Sequence, residues 1–234
     1  MDNVSREKDD IISYREMCDL ENVQTLQRGM NYQLNNRHTV ILMSQRSNAP
    51  YNDSVSEDGK TIEYEGHDES RSKTDDPKMV DQPRENLSGT LTQNGRFIHS
   101  IEEYKKGKRD PEIVRVYEKI MNGVWSIKGL FQLVDYKRKF DGNRYVYKFI
   151  LELLDEKVEN DGSKQVEVHD RMIPTEVKIK VWKRDAGKCV ICGSSKNLHF
   201  DHDLPFSKGG TSLTEKNIRI LCMKHNLEKS AKIQ

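Results

Sequence analysis

Two groups of residues that could bind metals or transfer protons occupy the last 46 residues of this chain. The first group is Cys189-x-x-Cys192 followed, after a long gap, by Cys222-x-x-His225. Thiolates and imidazole suit tetrahedral Zn²⁺, and a two-residue spacer lets both side chains of each pair turn toward one ion. The sequence therefore predicts a structural zinc site. Such an ion would stabilise a C-terminal unit of about 60 residues that has little apolar core of its own.

The second group lies inside that gap and just past it, and consists of Asp201, His202, Asn217 and Asn226. These are the residue types of a phosphodiesterase that uses one metal ion, because such an enzyme needs a proton acceptor and hard oxygen ligands. Without the zinc pattern, a capped turn with a surface histidine would be the simpler interpretation of Asp201 and His202. The interleaving of the two groups favours a hydrolytic site.

Two segments of the C-terminal unit resemble the HNH, or ββα-metal, endonuclease family. They read LHFDHDLPFSKGG at 198–210 and KNIRILCMKHN at 216–226. The His, Asn and last His/Asn positions of the family fall at His202, Asn217 and Asn226, with fourteen and eight residues between them. The resemblance covers residues 174–234. It implies metal-dependent hydrolysis of DNA phosphodiester bonds, with a 5′-phosphate and a 3′-hydroxyl as products.

The resemblance also implies a role for each residue. His202 is the expected general base, since a neutral imidazole accepts a proton near pH 7. Asp201 and Asn226 are the expected ligands of a catalytic Mg²⁺ or Mn²⁺, which would polarise the phosphate and hold the leaving 3′ oxygen. Asn217 is expected to brace the loop and orient His202. Neighbouring strand residues point to opposite faces, so Asp201 and His202 can act together only where the strand ends or twists.

Two assignments are open for the last pair of residues. In the preferred one, His225 is the fourth zinc ligand and Asn226 binds the catalytic ion. In the other, His225 binds the catalytic ion and zinc keeps three protein ligands. The first assignment is favoured because it leaves neither site short of ligands.

Composition and charge narrow the class of protein. Residues 171–234 contain thirteen Lys and Arg against six Asp and Glu, whereas the rest of the chain contains 26 against 32. A basic C-terminal unit suits a polyanion such as DNA. No apolar stretch approaches the ~20 residues that span a bilayer, and the N-terminus lacks the apolar core of a signal peptide. We therefore expect no membrane partner and a cytoplasmic, prokaryotic location.

Cysteine usage agrees with that location. Three of the four cysteines belong to the zinc pattern, and only Cys18 stands apart. This split favours metal binding in a reducing compartment over a disulfide framework. Cys18 is expected to be a thiol of the core, on one face of a helix at 8–29 with Ile11 and Tyr14.

Hydrophobic periodicity and turn residues predict the elements that position these groups. In the C-terminal unit, a helix begins at Pro174 and ends at Gly187, a strand covers Leu198–His202, and a final helix begins near Leu221. The other expected elements are strands at 40–43, 61–65, 129–136 and 144–154, with a turn at Asp141-Gly142, a long loop at 66–96 and a short helix at 100–107.

The N-terminal part resembles SRA-type domains, which bind DNA containing modified cytosine and flip the base out of the duplex. The matching segments are VILMSQRSNAPYND at 40–53, DGKTIEYEGHD at 58–68, NGVWSIKGLFQLVD at 122–135 and RYVYKF at 144–149. The resemblance implies that Tyr51 and Tyr64 sandwich the base and that Asp53 bonds its amino edge. By pattern alone, the two tyrosines would be ordinary strand residues and Asp53 a turn residue.

The expected fold is α+β. Residues 1–154 form an SRA-like, β-barrel-type domain with flanking helices, 155–171 form a linker, and 172–234 form a small zinc-stapled ββα-metal domain. The expected function is that of a restriction endonuclease. It recognises double-stranded DNA containing 5-methyl- or 5-hydroxymethylcytosine by base flipping and hydrolyses phosphodiester bonds nearby. One nuclease unit holds one active centre, so cutting both strands predicts a homodimer or sequential nicking.

Two other functions stay open at this point. One is an HNH endonuclease whose N-terminal part recognises an unmodified sequence. The other is a non-catalytic, zinc-containing DNA reader.

Overall fold

The structure, a computed structural model, describes residues 9–154, 172–204 and 210–233. The expected linker and the loop around Pro205 lie outside the described residues. The described strands are β1 (Asp10–Ser13), β2 (Met30–Asn31), β3 (Thr39–Met43), β4 (Ser54–Val55), β5 (Thr61–Glu65), β6 (Glu112–Met121), β7 (Val124–Phe140), β8 (Tyr145–Leu153), β9 (Leu198–His202) and β10 (Ile218–Cys222). The described α-helices are α1 (Tyr14–Leu20), α2 (Gln93–Lys105), α3 (Thr175–Arg184) and α4 (Met223–Ile233).

All ten described strands belong to one mixed sheet, which confirms the expected α+β class. The long strand β7 organises it, because it pairs with β1 at its start, with β6 along its first half and with β8 along its second half. The pair β3–β6 is parallel, and the other described pairs are antiparallel. Within the described residues the pairings do not close the sheet into a barrel, since β2, β4 and β10 each end a path.

Helix α2 covers one side of this sheet. Its Phe97, Ile98 and Ile101 are fully buried against strand residues such as Phe131 and Phe149. The helix was expected at 100–107 but begins at Gln93, where Thr92 caps it by accepting a hydrogen bond from the Gly95 amide. The prediction was wrong at this end because Asn94-Gly95 has the composition of a turn. Here Gly95 instead permits close contact with the backbone of residue 84.

The N-terminal segment also differs from expectation. A helix was predicted at 8–29, but Asp10–Ser13 is a strand, and the helix occupies only Tyr14–Leu20. Ser13 and Glu16 form a capping box that starts the helix there. Ile11 and Ile12 are both buried because β1 packs into the interior of the sheet. Cys18 is buried in the adjoining apolar cluster, as expected of a core thiol.

The final helix begins later than predicted. Leu221 and Cys222 belong to β10, which pairs with β9 from Ile218 to Cys222, and α4 begins at Met223. The strand and the helix follow each other without a loop. The strands expected at 40–43, 61–65 and 198–202 are confirmed, as are the β-rich region up to Leu153 and the turn at Asp141-Gly142.

Strand β1 connects the two ends of the chain. It pairs with β7 on one side and with β9 on the other, so the C-terminal strands extend the sheet of the N-terminal part. Residue Ile11 shares an apolar cluster with Val181, Phe200 and Ile220 of the C-terminal unit. The division into 1–154 and 172–234 stays a prediction, since its boundary lies among undescribed residues.

A buried ion cluster reinforces this connection. Glu118 of β6 accepts from Lys128 of β7 at 3.1 Å and lies 3.4 Å from Lys178 of α3. Lys178 also pairs with Asp9 at 2.7 Å, and Thr175 donates its hydroxyl to Glu118. Burial alone would raise the pKa of Glu118, but the two ammonium groups outweigh it and set the pKa at about 2.

Replacing Glu118 tests the contribution of this cluster to stability. Glu118→Gln leaves Lys128 and Lys178 buried without their shared carboxylate, and we expect the free energy of unfolding to fall by roughly 3–5 kcal/mol. Urea denaturation at pH 7 measures the change. The control is Glu69→Gln, which breaks a surface pair with Lys73 and should cost about 0–1 kcal/mol. Equal losses in the two variants would contradict a structural role for the buried cluster.

Candidate metal centre, hydrolytic site and base pocket

The predicted zinc ligands lie together. One ligand atom from each of Cys189, Cys192, Cys222 and His225 lies within 4.8 Å of all the others. The Sγ atoms of Cys192 and Cys222 are 3.8 Å apart, and His225 Nδ1 is 3.4 Å from Cys189 Sγ and 3.3 Å from Cys222 Sγ. Tetrahedral Zn²⁺ with its usual bond lengths needs separations of about 3.8 Å between sulfurs and about 3.5 Å between sulfur and nitrogen. The cluster therefore fits zinc.

Backbone hydrogen bonds favour the thiolate form of Cys189. Burial raises the pKa of Cys189, but hydrogen bonds from the backbone of Cys222, Cys192 and Ile191 outweigh burial and lower it to about 6. A thiolate is the form that binds zinc. On the far side of the imidazole ring, His225 Nε2 lies 4.0 Å from the carboxylate of Glu228, which favours the orientation with Nδ1 toward the thiols.

Asp201 and His202 lie at the end of β9. This position meets the condition that the strand ends where the two side chains are to act together. Their side chains have different partners. The Nε2 atom of His202 is 2.7 Å from Ser212 Oγ, whereas the Asp201 carboxylate accepts a hydrogen bond from Lys229 of α4. The Lys229 ammonium group also donates to the backbone oxygen of His202. Asn226 lies one turn before Lys229 on the same helix, which packs against β9 and β10.

Asn217 forms the brace that the sequence predicts. Its Oδ1 accepts from the Leu204 amide at 2.8 Å, and its Nδ2 donates to the backbone oxygens of Leu204 and Thr211, each at 3.0 Å. A side chain at Gly210 would collide with the Leu204 oxygen, so the closure needs glycine there. Asn217 thereby fixes both ends of the loop that begins after β9. His202 contacts Ser212, and its orientation by Asn217 stays a prediction.

Tyr51 is half-buried, and two side chains lie against its ring. The ring of His67 is stacked against it, with centroids 6.0 Å apart and an interplanar angle of 21°. The Lys78 ammonium group lies 4.2 Å from the ring centroid. It also donates to the Pro50 oxygen and pairs with Asp68 at 2.9 Å. Withdrawal of this flexible side chain would expose a face of Tyr51 to a base.

His67 is held in one tautomer and one position. Its Nε2 accepts a hydrogen bond from the Met30 amide at 3.0 Å, so the proton of the neutral ring is on Nδ1. Burial lowers the pKa of His67 to about 4 and keeps the ring neutral at pH 7. The amide and carbonyl groups of His67 are both bonded to the side chain of Asn94. The ring therefore presents an Nδ1–H donor beside Tyr51.

The other two predicted pocket residues have more buried positions. Asp53 accepts from the amides of Ser44 and Glu65 at 3.1 and 3.0 Å, and burial raises its pKa to about 6. Tyr64 is 1% exposed and packs in the main core with Phe149. Within the described residues, the ring contact of Tyr51 is with His67 rather than with Tyr64. The pairing of Tyr51 with Tyr64 around a flipped base stays a prediction.

Four contacts at these sites were not foreseen from sequence: His67 on Tyr51, Lys78 over Tyr51, Ser212 on His202 and Lys229 on Asp201. His67 lies three residues after Tyr64, in a segment that the SRA resemblance included, so its position was a usable signal. Lys78, Ser212 and Lys229 lie distant in sequence from their partners, and no local pattern indicates those contacts. None of the described helices is long and apolar enough to cross a membrane.

Comparison with known proteins gave matches among solved structures alone. No family model and no curated protein matches the chain. The SRA domain of SUVH5 in complex with hemimethylated CG DNA is 21% identical, with a TM-score of 0.45 over 65% of this chain and 90% of that chain. The same domain bound to fully hydroxymethylated CG DNA is 20% identical, with a TM-score of 0.46 over 66% and 93%. SUVH6 from Arabidopsis thaliana, in complex with SAM, is 18% identical with a TM-score of 0.41, over 74% of this chain and 28% of that chain.

Replacing one ligand tests the metal centre. We expect one zinc ion per chain in the wild type and a loss of zinc in Cys189→Ser, because three ligands hold the ion less tightly than four. Elemental analysis of the purified protein measures the content. Cys18→Ser is the matched control, since Cys18 is a buried thiol outside the cluster, and it should keep the full zinc content. Unchanged zinc in Cys189→Ser would refute the ligand assignment.

Proposed function

We propose that this protein is a metal-dependent DNA endonuclease whose N-terminal part binds modified cytosine. One observation carries the nuclease part. An antiparallel strand pair and a helix, β9–β10–α4, bring Asp201, His202 and the zinc-type cluster into one small unit, with Asn226 on the same helix. The HNH resemblance implies this arrangement, in which a structural metal site lies beside a histidine at the end of a strand. The brace formed by Asn217 agrees with it.

In this proposal His202 takes the proton of the attacking water. The tautomer protonated on Nε2 donates to Ser212 and leaves the Nδ1 lone pair to accept that proton. Asp201 and Asn226 would hold Mg²⁺ or Mn²⁺, which supplies positive charge for the phosphate and the leaving 3′ oxygen. Lys229 must then release the Asp201 carboxylate and become available to a phosphate oxygen. Asn217 holds Leu204 and Thr211, at the two ends of the loop after β9, close to each other.

The binding part of the proposal depends on Tyr51 and His67. A flipped base would stack on Tyr51 in the place of the Lys78 ammonium group. This stacking contributes about 1–3 kcal/mol, which offsets part of the cost of removing the base from the duplex. The Nδ1–H group of His67 is a donor for an acceptor on the base or on its 5-substituent. Burying one methyl group stabilises by only ~0.8 kcal/mol, so selectivity for modified cytosine needs such polar contacts as well.

One observation favours a second function, a zinc-containing DNA reader without catalysis. The Lys229 ammonium group bonds to the Asp201 carboxylate, which is where a cation would bind. If this contact persisted in solution, the carboxylate would be neutralised without a metal. Cleavage assays separate this reader from the nuclease.

Digestion of one plasmid in three forms tests the activity. We expect Mg²⁺ or Mn²⁺ to support cutting of the 5-methyl- or 5-hydroxymethylcytosine form and to leave the unmodified form whole. His202→Ala should reduce cutting about 10²- to 10⁴-fold and keep binding, because it removes the general base. His99→Ala, a substitution of an exposed histidine on α2, is the control and should cut normally.

Each other outcome of the digestion has a defined meaning. Equal cutting of all three plasmids would favour an HNH nuclease with specificity for an unmodified sequence. Binding without cutting under every ion would favour the reader. Full activity of His202→Ala would remove His202 from the base role. Nicked circles as the first product would indicate sequential nicking, and direct linearisation would favour the proposed homodimer.

Binding of short duplexes tests the base pocket. Tyr51→Ala should weaken binding of the modified duplex about 5- to 150-fold, the equivalent of one lost base stack. Binding of the unmodified duplex should change little. Fluorescence anisotropy measures both affinities, and Tyr104→Ala, on the partly exposed part of α2, is the control. An equal loss of affinity for both duplexes would argue against Tyr51 as a stacking partner of the modified base.

A further inference from the structure

The β7–β8 hairpin ends in an exposed basic and aromatic tip. We define the tip as residues 137–145, which read KRKFDGNRY. Every side chain of this segment except that of Arg144 is exposed. Phe140 and Tyr145 are 54% and 45% exposed, which is high for large apolar rings. Exposed apolar groups rimmed by charges are typical of interaction sites.

The tip carries net positive charge, because its four basic residues outnumber its one acidic residue, Asp141. The Asp141 carboxylate accepts from the amides of Asn143 at 2.8 Å and Arg144 at 3.0 Å, and chiefly the first of these bonds lowers its pKa. Within the described part of the chain, neither Lys137 nor Lys139 forms an ion pair. Both ammonium groups are therefore available to an anion.

The aromatic side chains form a continuous exposed row with an arginine. The rings of Phe140 and Tyr145 are 5.3 Å apart, and the guanidinium carbon of Arg138 lies 4.6 Å from the Tyr145 ring centroid. Arg138 is also paired with Asp81 at 2.6 Å, which orients it along the strand. Cationic and aromatic groups in alternation suit a nucleic acid, which offers phosphates and flat apolar surfaces side by side.

The tip is attached to the segment that covers Tyr51. Tyr145 donates its amide to Asp81 at 2.8 Å and accepts from the Gln82 amide at 3.0 Å. The segment containing Asp81 and Gln82 begins near Lys78, which lies over the Tyr51 ring. The tip and the candidate base pocket therefore both contact the segment from Lys78 to Gln82.

We propose that this hairpin tip is a second contact surface for double-stranded DNA. Lys137 and Lys139 bind backbone phosphates, and Phe140 and Tyr145 pack against sugars and base edges. The proposal rests on the proposed function, because it assigns the same DNA to both surfaces. It also explains how a net acidic N-terminal part can hold a polyanion, since binding then depends on a local basic patch.

Salt-dependent binding tests the proposal. The double variant Lys137→Ala/Lys139→Ala should bind modified and unmodified duplexes more weakly by the same factor, because phosphates carry no sequence information. The slope of log affinity against log salt should decrease in magnitude by about 2, one for each lost phosphate contact. The control is Lys106→Ala/Lys108→Ala, two lysines after α2 that pair with Glu103. This control should keep the wild-type slope.

A third variant tests the aromatic part. Phe140→Ala should weaken binding of both duplexes several-fold and leave the salt slope unchanged, since the ring carries no charge. Its melting temperature should equal that of the wild type, because Phe140 is exposed and its ring contact among the described residues is with the exposed Tyr145. Wild-type affinity in this variant would overturn the aromatic contact.

These measurements distinguish an error in the hairpin-tip proposal from an error in the proposed function. If the wild type prefers modified DNA but the double lysine variant keeps its affinity and slope, the tip does not contact DNA. If the wild type shows no preference for modified DNA but the variant loses slope, the tip is confirmed and the proposed reading of cytosine is wrong. Equal losses in the variant and its control would overturn the tip as a specific surface.

Discussion

A four-residue strand, β1, holds the two ends of this protein together. Its backbone groups pair with β7 on one side and with β9 on the other, so both edges of the strand are satisfied within the sheet. Unpaired backbone groups at these buried positions would cost free energy, which makes the C-terminal strands the natural completion of the N-terminal sheet. The base pocket, the hairpin tip and the metal centre are all attached to strands of this one sheet. Their relative positions are therefore a property of the fold rather than of the sequence between 155 and 171.

The buried ion cluster around Glu118 restricts how α3 packs against the sheet. Apolar packing between α3 and the sheet would tolerate some sliding, whereas a carboxylate that serves two ammonium groups and a hydroxyl has few acceptable arrangements. Glu118, Lys128 and Lys178 come from three different elements, and each would be costly to bury alone. The cluster therefore favours a single docking of α3 on the sheet. Such a docking suits the proposed function, in which two surfaces act on one duplex.

Sequence reasoning was most successful where local chemistry decides structure. The spacing of Cys189, Cys192, Cys222 and His225 predicted a cluster that the structure brings within ligand distance. The strand at Leu198–His202 also followed from the local pattern, whereas the brace by Asn217 was implied by the HNH resemblance. In the same way, the Asp141-Gly142 turn signal was sufficient to locate the hairpin.

The failures of prediction have a common cause, which is long-range packing. Ile11 fitted a helix pattern with Tyr14 and Cys18, but insertion of β1 between β7 and β9 places Ile11 and Ile12 in a strand and buries both, and no local periodicity indicates that. Tyr64 is buried in the core, where the lack of a side chain at Gly29 leaves room for its hydroxyl, and its role in a base pocket stays a prediction. The stacking of His67 on Tyr51 depends on residues far apart in sequence, and no linear pattern indicated it.

The metal cluster lies against the outer edge of the terminal strand, β10. On that edge the Val190 amide, within the first cysteine pair, bonds to the Ile220 oxygen at 3.0 Å, and the Asp185 carboxylate accepts the Ile220 amide at 2.9 Å. The turn that contains Cys189 and Cys192 thus covers backbone groups of β10 that could otherwise pair with a strand of another molecule. A metal ion bound by the four ligands would hold this turn in place. Removal of that ion would expose the edge of β10, so metal-free protein is expected to self-associate and precipitate before it unfolds. The cysteine cluster would then prevent aggregation as well as stabilise the fold.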